Sequence, residues 1–183
     1  PSRGLGDVYK RQITTCGYAT TDFDLWPETS KMILVLLMFI GACAGSTGGG
    51  FKISRLLILC KAIPKQLSLV IHPREVKVIR MDGKPIDHNT LRSTNVYLAI
   101  YFFILLVSTL LISVDNFNLT TNFTAVASTL NNIGPGLDSV GPTRNFGMYS
   151  DFSKFVLMFD MLAGRLELYP LLILFMPSLW RRK

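Results

Sequence analysis

The feature that most constrains this chain is a run of small residues, GACAGSTGGG at positions 41–50, inside an apolar stretch. The apolar flanks at 32–40 and 53–63 are each too short to cross a bilayer, which takes roughly 20 apolar residues as a helix. Joined, they are long enough, but glycines and hydroxyl side chains then lie at membrane depth. Non-helical backbone is stable there only when it is buried in protein or lines a water-filled cavity. The run therefore indicates a pathway for a polar solute, with close helix packing at small residues as the alternative.

The composition and the placement of charge favour an integral membrane protein. Hydrophobic residues make up 49% of the 183 residues and the mean hydropathy is +0.37, which together are high for a soluble protein of this size. The formal net charge is +7, and the basic residues concentrate in the segment 61–92 and at the C-terminus. This clustering is typical of loops on the cytoplasmic side of a membrane, so we expect no nucleic-acid partner.

Enzymatic chemistry has little support in the sequence, and we expect neither a catalytic site nor a covalently bound cofactor. The three cysteines, Cys16, Cys43 and Cys60, lack the spacing of a metal site or a disulfide framework. The sequence GSTGGGFK lacks the GK[ST] ending of a phosphate-binding loop. A pore and a purely structural membrane subunit remain as candidates, and the glycine breaks favour the pore.

The sequence divides into four parts. Residues 1–12 are polar and unrelated to the pattern that follows, so we expect a translated adapter, with a native polar tail as the alternative. Residues 13–62 hold a glycine-punctuated loop, an acidic outer segment and the interrupted inward helix. Residues 63–92 form a basic cytosolic connector, which either contacts anionic lipid or is a solvated loop. Residues 93–183 hold a spanning helix at 93–114, a short re-entrant helix at 121–130, a second glycine break and a final helix at 151–180.

Both halves share one order of elements, which predicts an all-α membrane protein made of helix–pore loop–helix repeats. One copy is complete at 93–183, and one is truncated at 13–62. The connector between them contains a small cytosolic hairpin, with strands at 76–79 and 84–86 around the Asp82-Gly83 pair. Re-entrant loops are rare and normally line an ion path.

The two glycine breaks have the chemistry of a cation site. Carbonyl oxygens of an extended loop can replace the water around a dehydrated cation, and glycine permits the main-chain angles that this requires. Neither loop contains a carboxylate, which favours a monovalent ion, and side-chain identity at Cys16 or Ile133 then matters little. The candidate ligands are the main-chain oxygens of Thr14, Thr15, Cys16 and Gly17 in one loop and of Asn131, Asn132, Ile133 and Gly134 in the other.

Four motifs, in their order along the chain, resemble the membrane subunit of the Trk/Ktr family of potassium uptake systems. They are TTCGY at 14–18, AGSTGGG at 44–50, NNIGPG at 131–136 and GRLE at 164–167. That family builds a potassium-channel-like pore from four repeats on one chain, so the resemblance implies the end of repeat three and all of repeat four. It implies potassium as the transported ion and Gly17 and Gly134 as filter glycines. Tyr18 belongs to the first filter motif, at a position more often occupied by Phe.

The resemblance also implies a gate beneath the filter, formed by the intramembrane loop and by a basic residue of the last helix. The gate residues would be Gly45, Ser46, Thr47, Gly48, Gly49, Gly50 and Arg165. The alternative for Arg165 is a structural arginine that snorkels or pairs with Asp160 or Glu167. Family members are dimers that pair with a cytosolic nucleotide-binding regulatory subunit, and they lie among lipids of the bacterial cytoplasmic (inner) membrane as multi-pass proteins.

Two functional alternatives stay open at this level. The first is potassium uptake, and the second is a sodium-preferring or ion-coupled cation permease of the same architecture. We also expect that the 183-residue chain alone does not conduct, because one repeat and a fraction cannot enclose a pore.

Overall fold

The computed structural model describes residues 8–10, 14–17, 22–41, 50–72, 79–81 and 84–166, and this described part is mostly helical. Its main elements, in chain order, are α1 (Glu28–Phe39), β1 (Ile40–Gly41), β2 (Phe51–Lys52), α2 (Ile53–Ile71), β3 (Arg80–Met81), β4 (Lys84–Pro85), α3 (His88–Ile112), α4 (Leu119–Leu130) and α5 (Asp151–Arg165). Short 3-10 turns lie at Phe23–Leu25, Ser113–Asp115, Asp138–Val140 and Phe146–Met148.

The apolar stretch is interrupted where the small residues predicted it. Helix α1 ends at Phe39, and α2 begins at Ile53. Between them, β1 pairs in parallel with β2, with Ile40 opposite Phe51 and Gly41 opposite Lys52. This pairing brings the two ends of the interruption side by side. Residues 42–49 lie outside the described part of the chain.

Helix α2 is longer than predicted. It continues past residue 62 to Ile71 and contains Pro64. We had expected the connector to begin with these residues, since lysines enter the pattern at Lys61. The lysines occupy one face of an amphipathic helix instead, and they do not end it. The same helix buries Ile58 and Ala62, close to Lys61 and Lys65, in a small cluster with Ile79 and Leu91.

The connector contains a hairpin on either side of positions 82–83, as predicted. Strand β3 pairs in antiparallel fashion with β4, and Arg80 lies opposite Pro85. The described first strand is at 80–81, and Ile79, the one described residue of the predicted strand 76–79, is not part of it; residues 73–78 and 82–83 lie outside the described part. The ammonium of Lys61 donates to the carbonyl oxygen of Arg80 at 2.9 Å, which ties this hairpin to α2.

Helix α3 agrees with the spanning helix predicted at 93–114. Within the described residues it is the one helix long and apolar enough to cross a membrane, over Asn89–Asp115, and 28% of its most apolar 18-residue window is buried. Phe103, Leu106 and Leu110 are between 65% and 73% exposed on its outer face. Such an apolar surface is suited to lipid or to further protein.

Helix α4 coincides with the short helix predicted at 121–130, and it begins two residues earlier than expected. Its 12 residues are too few to span a bilayer. It packs against α1, α3 and α5, and every residue from Thr124 to Leu130 is buried. The buried hydroxyls bond to the helix itself, as when Thr129 donates to the carbonyl of Ala125 at 2.9 Å. Because these side chains are small and these hydroxyls bond within the helix, neighbouring helices can pack closely around it.

The last helix, α5, begins at a serine cap. The side chain of Ser150 accepts from the main-chain N–H of Ser153 at 3.3 Å, and Asp115 accepts from the N–H of Ser150 at 3.0 Å. The helix is described as far as Arg165. The rest of the predicted final segment, residues 167–183 with Glu167, lies outside the described part.

Candidate functional site

The first candidate loop, residues 14–17, follows helical residues at 8–10. The main-chain N–H and the hydroxyl of Thr14 both donate to the carbonyl of Lys10, at 3.0 and 2.9 Å. Thr15 and Gly17 then adopt left-handed backbone angles, with φ of +57° and +64°. A threonine in this conformation is uncommon, because its β-branched side chain disfavours it.

The second candidate loop, residues 131–134, repeats this geometry. The main-chain N–H and the side-chain amide of Asn131 both donate to the carbonyl of Ala127, at 3.1 and 2.8 Å. Asn132 and Gly134 adopt left-handed angles, with φ of +55° and +110°. The two loops thus share the same anchoring bond at their first position and positive φ at their second and fourth. Of their four aligned residues, glycine at the last position is the only identity.

The two loops meet through their main chains. A Cβ added at Gly17 would overlap the carbonyl oxygen of Ile133 and lie 2.7 Å from Cδ of Pro135. No other residue type fits there without separating the loops. The structure therefore brings the described residues 14–17 into contact with 131–134, whereas Tyr18 lies outside the described part.

A cavity of about 340 Å³ opens beside this meeting point. Its wall includes both loop glycines, Gly17 and Gly134, together with Pro135, Gly141 and Arg144. Within the described residues no group of three or more His, Cys, Asp or Glu side chains is placed to hold a metal ion. Arg144 was not singled out from the sequence, although it is the only base between residues 137 and 150.

An acidic pair joins the segments outside the two loops, and it too was missed from the sequence. The main-chain N–H of Asp138 donates to Oδ1 of Asp24 at 3.0 Å. The Asp138 carboxylate itself accepts from the hydroxyl of Thr121 at 2.8 Å and from the amide of Asn118 at 3.3 Å. Two carboxylates 114 residues apart give no local pattern that could reveal this contact.

The environments of these two carboxylates shift their pKa values in opposite directions. Burial raises the pKa of Asp24 above its ordinary 3.8, against the opposing hydrogen bond from Asp138. The hydrogen bond from Thr121, followed by that from Asn118, lowers the pKa of Asp138 below 3.8. Lys31 and Arg144 line the same cavity of about 270 Å³ as the pair. The outer side of the loops therefore carries acidic and basic side chains close together.

The end of the small-residue run lies directly against Asn131, the first residue of the second loop. Gly50 has φ of +80°, and a Cβ added there would overlap Oδ1 of Asn131 and lie 3.1 Å from its Cγ. Asn131 is fully buried, and its Oδ1 accepts from the hydroxyl of Tyr101 at 2.9 Å. The other expected gate residues, Gly45, Ser46, Thr47, Gly48 and Gly49, lie outside the described part.

The C-terminal end of α5 contacts the end of α4 and the second loop. A Cβ added at Gly164 would overlap the carbonyl oxygen of Leu130, and the side-chain amide of Asn132 donates to the carbonyl of Met161 at 3.1 Å. Arg165 follows Gly164 directly and is exposed. Asp160, one turn earlier, is fully buried and accepts from the hydroxyl of Ser108 at 2.7 Å.

Comparison with known proteins gives consistent matches. The family model of TrkH, described as a cation transport protein, matches residues 12–182. The chain is 39% identical over 168 residues to the Trk system potassium uptake protein TrkH of Vibrio parahaemolyticus, and 37% identical to that of Escherichia coli K12. Both alignments cover 92% of this chain and 34% of the relative. A relative named TrkI from Halomonas elongata is 34% identical over 171 residues.

A solved structure is also similar. The crystal structure of the potassium transporter TrkH from V. parahaemolyticus superposes with a TM-score of 0.83 at 39% identity, covering 93% of this chain and 36% of that one. The chain thus spans about a third of the length of these relatives. The family match begins at residue 12, although Val8 is buried against Phe23 and Leu34. The adapter assignment of residues 1–12 remains a prediction.

Proposed function

Because this chain belongs to the TrkH family of cation transport proteins, we propose that the protein containing it takes up potassium ions across a membrane. The relatives named above are potassium uptake proteins, and the chain supplies about a third of such a protein. The observation that carries the proposal is the meeting of two loops with matching backbone conformation at Gly17 and Ile133. Such loops offer main-chain oxygens rather than charged side chains to an ion.

In this proposal the loops 14–17 and 131–134 are two strands of a four-strand selectivity filter. Carbonyl oxygens replace the hydration shell of potassium, and alternating left-handed residues allow successive carbonyls to turn toward a shared axis. Helix α4 ends at Asn131, so the negative end of its dipole lies where the cation would sit. The helix–pore loop–helix repeat then accounts for the short buried α4 and for the exposed apolar face of α3.

The gate belongs to the same proposal. The small-residue run from Gly45 to Gly50 would obstruct the path beneath the filter, with Arg165 adding a positive charge that opposes cation passage. Two contacts support this arrangement: Gly50 abuts Asn131, and Gly164, beside Arg165, abuts the end of α4. Because Asp160 bonds to Ser108, its carboxylate has a role in holding α5 to α3.

The wider assignment follows from the resemblance. We propose a multi-pass protein of the bacterial cytoplasmic membrane that forms a homodimer and binds a cytosolic nucleotide-binding regulatory subunit. Potassium is its transported substrate rather than a cofactor. No enzymatic step is included, since transport through a carbonyl filter needs none.

The test is glycine replacement in the full-length protein. Gly17→Ala places a methyl on the Ile133 carbonyl, and Gly134→Ala has free space but an unfavourable φ of +110°. Both should abolish rescue of potassium-limited growth, and Gly17→Ala should have the greater effect on rubidium uptake. Gly147→Ala, whose methyl meets only the side chain of Asn145, is the matched control. Retained rescue and retained potassium-over-sodium preference in both loop variants would reject the filter.

Rubidium and sodium uptake measured side by side separate potassium uptake from the sodium-preferring permease. Preference for rubidium is expected. Stronger sodium uptake would support the alternative instead, and a dependence on a proton or sodium gradient would indicate ion coupling.

A further inference from the structure

The side chain of Asn131 makes contacts that ion binding by its main chain does not require. It is fully buried. Its amide nitrogen donates to the carbonyl of Ala127 at 2.8 Å, within the last turn of α4. Its amide oxygen accepts from the hydroxyl of Tyr101, on α3, at 2.9 Å. One side chain therefore fixes the start of the second loop to two different helices.

The segment 50–51, at the end of the small-residue run, contacts both members of this hydrogen bond. Gly50 lies so close to the Asn131 amide that no Cβ fits between them. Phe51 packs on the ring of Tyr101, with ring centres 6.3 Å apart, and on Tyr97 at 6.0 Å. The backbone at 50–51 is thus held against the hydrogen-bonded pair of Tyr101 and Asn131, and neither the backbone nor the pair can move far without displacing the other.

The first loop is built differently at the matching position. Thr14 keeps the bond to the carbonyl four residues earlier, but it is exposed, whereas Asn131 is fully buried.

We propose that Asn131 is a positioning residue that couples the second loop to the segment 50–51. The inference rests on the proposed function, in which the carbonyls of 131–134 bind potassium. The Tyr101 hydroxyl and the Gly50 backbone fix the Asn131 amide, and the amide fixes the main chain that follows. Because ion-binding geometry must be held within about 0.5 Å, displacement of Gly50 changes ion preference as well as passage beneath the loop.

Tyr101→Phe in the full-length protein tests this coupling. It removes one oxygen and leaves the buried Asn131 amide oxygen without its donor. We expect rubidium-over-sodium preference to fall about tenfold, which corresponds to about 1.4 kcal/mol. The ratio is measured per molecule, so a lower protein level does not change it. Tyr149→Phe is the matched control, because it removes an equivalent buried bond from Tyr149 to Asn122 at 3.1 Å at the outer end of α4, and its preference should stay unchanged.

A second variant keeps the test decisive if Tyr101→Phe does not fold. Asn131→Thr gives the second loop the chemistry of Thr14, with the bond to Ala127 retained and the amide oxygen that accepts from Tyr101 removed. It should lower the preference as much as Tyr101→Phe, and the double variant should fall no further, since both remove one interaction. Unchanged preference in either folded variant, or an equal fall in Tyr149→Phe, refutes the coupling. A wild-type protein that takes up no potassium refutes the proposed function instead.

Discussion

Replacing Gly164 with alanine has two physical effects on stability that act in opposite directions, and their sizes can be compared. Gly164 lies inside α5, where alanine is favoured over glycine by about 0.8–1.0 kcal/mol. The added methyl, however, overlaps the carbonyl oxygen of Leu130 and lies 2.8 Å from both the Leu130 carbonyl carbon and the side-chain amide of Asn132. Atoms of this kind pack at about 3.5 Å or more, so α5 must retreat from the end of α4 by on the order of 1 Å.

The steric effect should dominate. The obstructing atoms at Leu130 belong to the main chain and cannot rotate away as a side chain would. Overpacking of this kind costs about 1–3 kcal/mol, and the retreat also stretches the bond from Asn132 to Met161, now 3.1 Å. That bond contributes about 0.5–1.5 kcal/mol. The net expectation for Gly164→Ala is a loss of roughly 1–3 kcal/mol in spite of better helix propensity.

The assay is thermal unfolding of the full-length protein in detergent, followed by size-exclusion chromatography of the surviving fraction. Gly164→Ala should melt at a lower temperature than the wild type, and rubidium uptake should fall because the second loop shifts with Leu130. Gly147→Ala is the control, as its methyl meets a flexible side chain. A Gly164→Ala protein that melts at or above the wild-type temperature would show that helix propensity outweighs the contact, and the packing at Leu130 would have to be rejected.

Three further outcomes are expected. Asp24→Ala should destabilise the protein by about 1–3 kcal/mol, because the N–H of Asp138 loses its acceptor, whereas Asp24→Asn keeps an acceptor and should melt near the wild type. The lowered pKa of Asp138 means that its contribution to stability is present above its unfolded pKa near 3.8 and is lost as the pH falls through the lower folded value. Asp138→Asn should therefore flatten the acid side of a melting-temperature profile, and an unchanged profile would exclude this role. Cys16→Ser should keep both rubidium uptake and ion preference, and a changed preference would make the side chain a ligand.

Local features of the sequence were sufficient for the elements that depend on length and hydrophobicity. The interruption after Phe39 follows from small residues that no lipid-facing helix would retain. The short α4 follows from polar residues before Leu119 and the glycine break after Leu130. The contact between Gly17 and Ile133 was expected from the repeated motifs, although the matching φ pattern was not.

Contacts between distant parts of the chain could not be predicted from one sequence. Asp24 and Asp138 resemble ordinary acids of an outer loop, and Tyr101 resembles one more aromatic residue of a spanning helix. Their roles come from the fold, which brings Asp24 to Asp138 and Tyr101 to Asn131. The length of α2 was misjudged for a related reason, since polarity at Lys61 was taken as the end of the helix although an amphipathic helix continues through such residues.

The short parallel pairing of β1 with β2 has a consequence for how this region can vary among relatives. The hydrogen bonds between its two dipeptides hold together the two ends of the segment between Gly41 and Gly50. Helices α1 and α2 therefore keep their spacing whatever the length of that segment. Closing a longer loop between fixed ends adds only about 0.6 kcal/mol of entropic free energy per doubling of its length. Chain closure therefore constrains the length of this segment only weakly, and its proposed role as a gate would be what fixes that length. An insertion or deletion at positions 40, 41, 51 or 52 would instead shift the register between β1 and β2.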